Sequence, residues 1–303
     1  MTRSPIPSPA PHPGADAAAP ATGDVTVVVA SRNRRSDLLA SLPRHGAPVI
    51  LVDNASTDGT VDAVRAAHPD VTVLPQARNL GAEGRTVGVA RAGTPFVAFA
   101  DDDSWWAPGD LARAVAIMRA HPRLAVLNAR ILVGPEERLD PLCAEMAASP
   151  LGTPPDLPGP ALLGFIACGA MVRTEAFDAV GGFDPVVRFP GEEERLALDL
   201  SAAGWAIAYV DAVTVHHHPS PARHSPEQRQ AAVWRSRLLT AVMRRPWSEV
   251  AALVLRALCT GAPERRGLLR ALPEVPAALR RRRVVPEHVR ADLRVLAEAG
   301  AAA

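Results

Sequence analysis

The residues best equipped for chemistry in this chain are acidic, and three of them are consecutive. Asp101-Asp102-Asp103 follow directly on the apolar run Phe96-Val97-Ala98-Phe99-Ala100, which concentrates negative charge at the mouth of a buried segment where water screens it poorly. A positive partner is required there. Two carboxylates one residue apart at a strand end can face the same side and hold Mg2+ or Mn2+, hard cations that take oxygen ligands and bridge phosphates, so a diphosphate would complete the shell. The plain alternative is a solvated acidic loop that caps the helix expected near Pro108, and the strand-end position favours the metal. Arg32, Arg34, Arg78 and Arg85 flank the same edge in linear order and can meet the charge of a nucleotide, Arg85 ahead of Arg34, although most surface arginines only solvate a face. Trp105 and Trp106 can stack on a sugar or acceptor, or bury against the Pro108 helix.

The elements that must position these groups are legible as short β-branched runs alternating with helical stretches. Strands are expected at Val25 to Ala30, Val49 to Val52, Val71 to Leu74 and Phe96 to Ala100, and helices at Ser36 to Leu42, Thr60 to Ala67, Glu83 to Ala92 and Pro108 to Ala120. This alternation predicts an α/β fold, a mostly parallel Rossmann-like sheet flanked by helices. Ligands of such sheets bind beyond the carboxyl ends of the strands, and there the polar clusters fall: Ser31-Arg32-Asn33-Arg34, Asp53-Asn54, Arg78-Asn79 and the Asp triplet. Helix capping accounts for Asp58 and extends to Ser56. It does not account for three carboxylates in a row.

Composition narrows the chemistry. The 303 residues carry 33 Lys+Arg against 32 Asp+Glu, and 48% are hydrophobic, which is globular usage without the basic surplus that draws a chain to nucleic acid. There is no lysine, so Schiff-base and P-loop mechanisms are excluded, and no GxGxxG follows the first strand. Cys143, Cys168 and Cys259 lack disulfide or zinc spacing, which suits a reducing cytoplasm. Neither a spanning apolar stretch nor an export signal is expected. Residues 1–22, rich in Pro, Ala and Ser, are expected to form a disordered tail, with a catalytic domain over 23–220 and a helical Arg-rich extension over 221–303.

The motifs Val25 to Arg34, Val52 to Thr60, Arg78-Asn79-Leu80-Gly81-Ala82-Glu83-Gly84-Arg85, Asp101-Asp102-Asp103, Gly181-Gly182-Phe183-Asp184 and Gly191-Glu192-Glu193 together resemble glycosyltransferase family two, over roughly residues 24 to 220. The resemblance implies a GT-A fold, a nucleotide-diphosphate sugar donor, a divalent metal and inversion at the anomeric carbon. It implies donor-site roles for Ser31, Arg32, Asn33, Asp53, Asn54, Arg78, Arg85, Asp101 and Asp102, with Asp53 on the nucleobase. Asp103 and Asp101 would hold Mg2+ or Mn2+, joined by a histidine of His216-His217-His218, with His216 preferred and His218 as alternative. Glu193 would take the acceptor proton, with Glu192 as close competitor, although an acidic pair at a helix start also serves the helix dipole. The sequence departs from the family pattern at Arg195, where many relatives are acidic, and at Thr86, where many have Asn.

The acceptor stays open among a glycan, a lipid-linked saccharide and a small molecule. Arg280-Arg281-Arg282-Arg283 beside Val284 and Val285 can either dock a helix on anionic lipid heads or serve as a solvated face, so the expected location is cytoplasmic, with peripheral contact at the inner face of the membrane open. Two rivals stand beside sugar transfer: a metal-dependent nucleotidyl- or phosphotransferase, and a catalytically silent nucleotide-sugar-binding module.

Overall fold

Four runs of β-branched and aromatic residues form the first strands, each within one residue of expectation: β1 (Val25–Ser31), β2 (Val49–Asp53), β3 (Thr72–Pro75) and β4 (Phe96–Ala100). The computed structural model describes residues 22–220 and 225–302, so the expected tail lies outside it except for Thr22. The four strands pair in parallel in the order β3-β2-β1-β4. Parallel neighbours need crossovers, which α1 (Arg35–Ser41), α2 (Thr60–Ala67) and α3 (Glu83–Ala92) supply. The last of these approaches the sheet so closely that a Cβ on Gly88 would stand 2.4 Å from Val28 Cγ1.

Past β4 the chain adds β5 (Ser104–Trp106), α4 (Asp110–Ala120), β6 (Leu124–Val133), β7 (Arg138–Leu139), α5 (Pro141–Ala147), β8 (Ala161–Leu162), β9 (Ala170–Arg173), α6 (Thr174–Ala179), α7 (Glu193–Ala202) and β10 (Ala206–His217). The sheet continues from β4 through β9, β6 and β10 to β5. Here it becomes mixed. β9 arrives through the short turn at Ala167–Gly169 and not over a crossover helix, so it runs antiparallel between β4 and β6, while β10 is parallel to β6. Helix α4 begins at Asp110, two residues later than expected, because Gly109 at φ 82 breaks the helical path after Pro108. Strand β10 is long and carries a bulge between Val210 and Thr214.

The main core encloses this sheet, and a second apolar cluster joins Val186 and Val187 to the C-terminal helices. These are α8 (Pro226–Arg244), α9 (Trp247–Thr260), α10 (Ala262–Ala271), α11 (Val275–Arg280) and α12 (Glu287–Ala302). The extension is thus packed onto the segment that leads into α7, and ion pairs from Arg244 to Asp199 and from Arg281 to Asp184 fasten it there. Val285 and Val289 close a third cluster with Leu163 and Leu198. Among the described residues no helix is long and apolar enough to cross a membrane.

Candidate active site

At the carboxyl edge of the parallel strands Ser31 and Asp53 stand side by side in register. The loops that follow them are tied together: Asn33, at φ 55, donates its backbone N–H to Ser56 Oγ at 2.9 Å and accepts from the Thr57 N–H at Oδ1, 2.8 Å, and Arg32 Nε donates to the Ala55 carbonyl. Asp53 is buried. Its Oδ2 accepts from the Ser56 N–H at 2.9 Å, whereas its Oδ1 has no hydrogen-bond partner among the described residues and can accept a further hydrogen bond. Both ends of the Asn54 amide are engaged by the loop before α3, Nδ2 donating to the Gly81 carbonyl at 3.1 Å and Oδ1 accepting from the Leu80 N–H at 3.2 Å, so Asn54 braces this edge. Arg78 lies exposed on the rim, 3.8 Å from Glu83.

The Asp triplet is folded back into the protein. Its side chains are 31%, 17% and 10% exposed from Asp101 to Asp103. Asp102 accepts from Ser31 Oγ at 2.7 Å, lies 4.0 Å from Arg34 Nε, and its backbone carbonyl accepts from Ser41 Oγ at 2.8 Å. Burial, reinforced by the charges of Asp101 and Asp103 against the opposing Ser31 hydrogen bond, pushes its carboxyl up to about 7. Asp103 accepts from the Ser220 N–H at 2.9 Å and its Oδ1 is 3.3 Å from His217 Nε2, so it is bound to the far end of β10.

Arg85 joins the two acidic regions. Rising from the first turn of α3 and only 5% exposed, it donates Nη2 to Asp101 Oδ1 at 2.6 Å and Nη1 to Glu192 Oε1 at 3.1 Å. Burial alone would lower its pKa, but the carboxylates of Asp101, Glu192 and Glu193 more than offset that and raise it. Glu192, 1% exposed, has its carboxyl pushed up to about 8 by burial and by Glu193, against the pull of Arg85. Burial also raises Glu193, which is half-buried at the first turn of α7. A raised carboxylate is a stronger base, poised nearer neutral pH.

The two departures from the family pattern have structural work. Thr86 Oγ1 accepts from the Phe183 N–H at 3.0 Å, seating the Gly181-Gly182-Phe183-Asp184 turn on α3, and Gly182, at φ 62, has no room for a Cβ against Phe177 and Thr86. Arg195 is buried, donates to the Gly182 carbonyl, and pairs with Asp199 at 2.8 Å and Asp184 at 3.8 Å. It locks that turn to α7.

Of the three histidines the structure brings His217 to the acidic site and not the preferred His216. Side chains alternate along a strand: His216 Nδ1 lies 3.3 Å from Glu137 Oε1 and its ring stacks on Trp105, His218 meets the edge of the same indole, and the Arg44 guanidinium covers it at 4.0 Å. Trp105 is therefore already enclosed, and Trp106 is buried with Nε1 donating to the Phe99 carbonyl at 3.0 Å. His217 follows the parity of the buried Val213 and Val215, a signal present in the sequence. Cys168, in the turn before β9, had no such signal. Asp101, Cys168 and His217 each offer a ligand atom, all within 4.8 Å of one another, and Asp103 stands beside His217, so oxygen, nitrogen and sulfur donors converge at this point.

Residues 26–181 match Glycosyl transferase family 2. The chain is similar to the N-acetylglucosaminyl-diphospho-decaprenol L-rhamnosyltransferase of Mycobacterium tuberculosis, 29% identical over 56% of this chain and 66% of that protein. It is also similar to the pre-mycofactocin glycosyltransferase of the same organism, 33% identical over 67% of this chain but only 45% of that protein. In three dimensions it resembles a mannosyltransferase from Pyrobaculum calidifontis, with a TM-score of 0.57, 23% identity, and coverage of 92% of this chain and 79% of the other. The fold is thus of the GT-A type expected, and with more than half of its length matched the chain belongs to glycosyltransferase family 2.

Proposed function

We propose that the protein moves a sugar from a nucleotide-diphosphate donor to an acceptor hydroxyl with inversion at the anomeric carbon, aided by a divalent cation. The observation that carries this reading is the Arg85 bridge, which holds a donor-side carboxylate, Asp101, and an acceptor-side carboxylate, Glu192, on the two ends of one buried guanidinium. Inversion needs a base on the face opposite the leaving diphosphate. Glu193 fills that role better than Glu192: both are raised, but Glu192 is sealed at 1% exposure and engaged by Arg85, whereas Glu193 retains access. On the donor side the unpartnered Asp53 Oδ1 suits an imide-type N–H of a nucleobase, and Arg78 at the rim suits phosphate charge.

Asp101, Asp103, His217 and Cys168 would hold the cation, which when bound would supply positive charge to the departing diphosphate. Their mixed donors fit Mn2+ better than the strictly oxygen-seeking Mg2+, and the Pyrobaculum mannosyltransferase was solved in complex with GDP-Man and Mn2+. The rhamnosyltransferase is named for an acceptor linked through diphosphate to decaprenol, and a lipid-linked saccharide is the acceptor class proposed for this chain. Family membership sets aside the nucleotidyl- and phosphotransferase rival.

Incubation with UDP-, GDP- and dTDP-sugars in the presence of Mn2+ should release nucleoside diphosphate from one donor class. Glu193→Gln should slow that release by about 100-fold or more while donor affinity stays within about twofold. Undiminished release by Glu193→Gln, or release of inorganic phosphate in place of nucleoside diphosphate, would overturn the assignment.

A further inference from the structure

Charge is distributed unevenly along this nearly neutral chain. Residues 226–303 hold 15 arginines and seven acidic residues, a surplus of eight, whereas residues 1–225 hold 18 arginines and 25 acidic residues, a deficit of seven. Much of the C-terminal charge is committed: Arg235, Arg244, Arg245 and Arg281 pair with Glu274, Asp199, Glu194 and Asp184, and Arg282 donates to the carbonyls of Val242 and Arg245. The run Arg280 to Arg283 is therefore half structural and not the docking strip that its sequence suggests. What remains is more specific. Arg256, Arg270 and Arg280 are exposed and have no carboxylate partner among the described residues, and each is adjacent in sequence to an exposed large apolar residue: Leu255, Leu269 and Leu279.

The apolar residues belong to helices whose other faces are already packed. α9, α10 and α11 pack on α8, and α8 packs on α7. On α9, Val250 and Ala257 are buried, while Trp247, Ala251, Leu255 and Leu258, spaced by four, four and three residues, form one outward stripe. Leu255 is 64% exposed and Leu269 on α10 is 65% exposed. Arg265 donates to the Leu258 carbonyl at 3.2 Å, which ties the start of α10 to the end of that stripe. Leucines set beside unpaired arginines match an interface with an apolar interior and an anionic rim, the arginine stems lying along the apolar layer while their heads reach the phosphates.

We infer that the outer face of α9, α10 and α11 docks on an anionic lipid bilayer. The deficit of seven on the remainder of the chain is repelled by the same surface, so charge alone orients the molecule with its C-terminal helices downward. Lipid binding needs no sugar chemistry. Its consequence for the acceptor rests on the transfer reading: Ser236 and Arg235 of α8 donate to the carbonyls of Arg188 and Val186 at 2.8 and 3.1 Å, and Arg245 at its end pairs with Glu194 at 2.7 Å, so α8, on which the docked helices pack, is bonded to the segment that carries Glu192 and Glu193.

The test is flotation of the full chain with vesicles of phosphatidylcholine alone and of phosphatidylcholine mixed with phosphatidylglycerol, without donor or acceptor. The chain should float with the anionic vesicles at low salt, stay behind with the zwitterionic ones, and be largely released at 1 M salt, where the Debye length is about 3 Å. Each surface arginine contributes about 1 kcal/mol, or roughly fivefold, so the variant R256Q/R270Q/R280Q should bind roughly 100-fold more weakly. The variant L255S/L269S should also bind more weakly, with circular dichroism unchanged in both. No flotation with anionic vesicles, equal flotation with both compositions, or a concentration-dependent dimer broken by L255S/L269S would overturn the inference, the last by showing that a second copy covers the face. Because donor turnover is not measured, failure here leaves sugar transfer untouched, and loss of turnover leaves lipid binding untouched.

Discussion

Removing the Arg85 guanidinium tests whether the donor-side and acceptor-side carboxylates are held as one buried unit. Arg85→Met keeps the bulk of the stem and deletes the charge that donates to Asp101 at 2.6 Å and to Glu192 at 3.1 Å. Breaking a buried ion pair from one side costs about 3–5 kcal/mol, because the orphaned charge cannot be rehydrated. How much of that is felt depends on pH. With its carboxyl pushed up to about 8, Glu192 is mostly protonated at pH 6.5, and losing its cation there matters less. The loss is then mainly that of Asp101, which at 31% exposure is partly rehydrated, and the penalty should fall to about 1–2 kcal/mol. At pH 9 Glu192 is ionised in the wild type and paired, so the same substitution strands a buried anion and the penalty should approach about 5 kcal/mol. Urea unfolding followed by circular dichroism at the two pH values reads both numbers. Glu192→Gln removes the titrating group, so the pH dependence of the Arg85→Met penalty should vanish in that background and the double-mutant cycle should show coupling above about 1 kcal/mol at pH 9. A penalty below about 1 kcal/mol at both values, or strict additivity, would refute the bridge as the element that organises this site.

Two further outcomes follow from the geometry. His217→Ala and Cys168→Ser should each weaken Mn2+ binding, read by the loss of free-ion electron paramagnetic resonance signal, by about tenfold or more, whereas His216→Ala should not. With Co2+ the wild type should also show a sulfur-to-cobalt charge-transfer band that Cys168→Ser abolishes. His45 is half-buried, both its ring nitrogens are shielded from water and have no hydrogen-bond partner among the described residues, and burial lowers its pKa to about 4. The unfolded chain therefore takes up that proton first. Stability should fall as pH drops from about 6.5 towards 4, by roughly 3 kcal/mol in all, and His45→Leu should flatten that part of the pH profile of urea unfolding.

The parallel half of the fold could be read directly from the chain because each strand is a local β-branched run and each crossover a local helix. Those signals fixed the ends of β1 to β4 to within one residue. The second half was harder to read. The direction of β9 is set by how the turn at Ala167–Gly169 re-enters the sheet, a long-range constraint that no periodicity within its four residues expresses. The same distinction separates the two departures at Arg195 and Thr86. They look like losses of family chemistry in sequence, yet in space both tie the glycine-rich turn to its neighbouring helices, so they bear on how α7 is held and not on which proton it moves.

Within the site, legibility followed the same physics. The position of the Asp triplet beyond a buried strand was enough to predict that its charge is partnered, and Ser31, Arg85 and His217 account for much of that partnering. Roles that depend on which way a side chain turns were not fixed by type and order alone. Asn54 stands at the donor edge in sequence but has both ends of its amide engaged by the next loop. Which histidine faces the acidic cluster was not legible from alternation alone, which excluded three ligands on one site; the phase comes from Val213 and Val215, whose burial points 217 inward and sends 216 to Trp105. Cys168 marks the boundary of sequence reasoning: it reaches Asp101 and His217 from a turn 67 residues beyond the first and 49 before the second, and only the closing of β9 between β4 and β6 brings the three together.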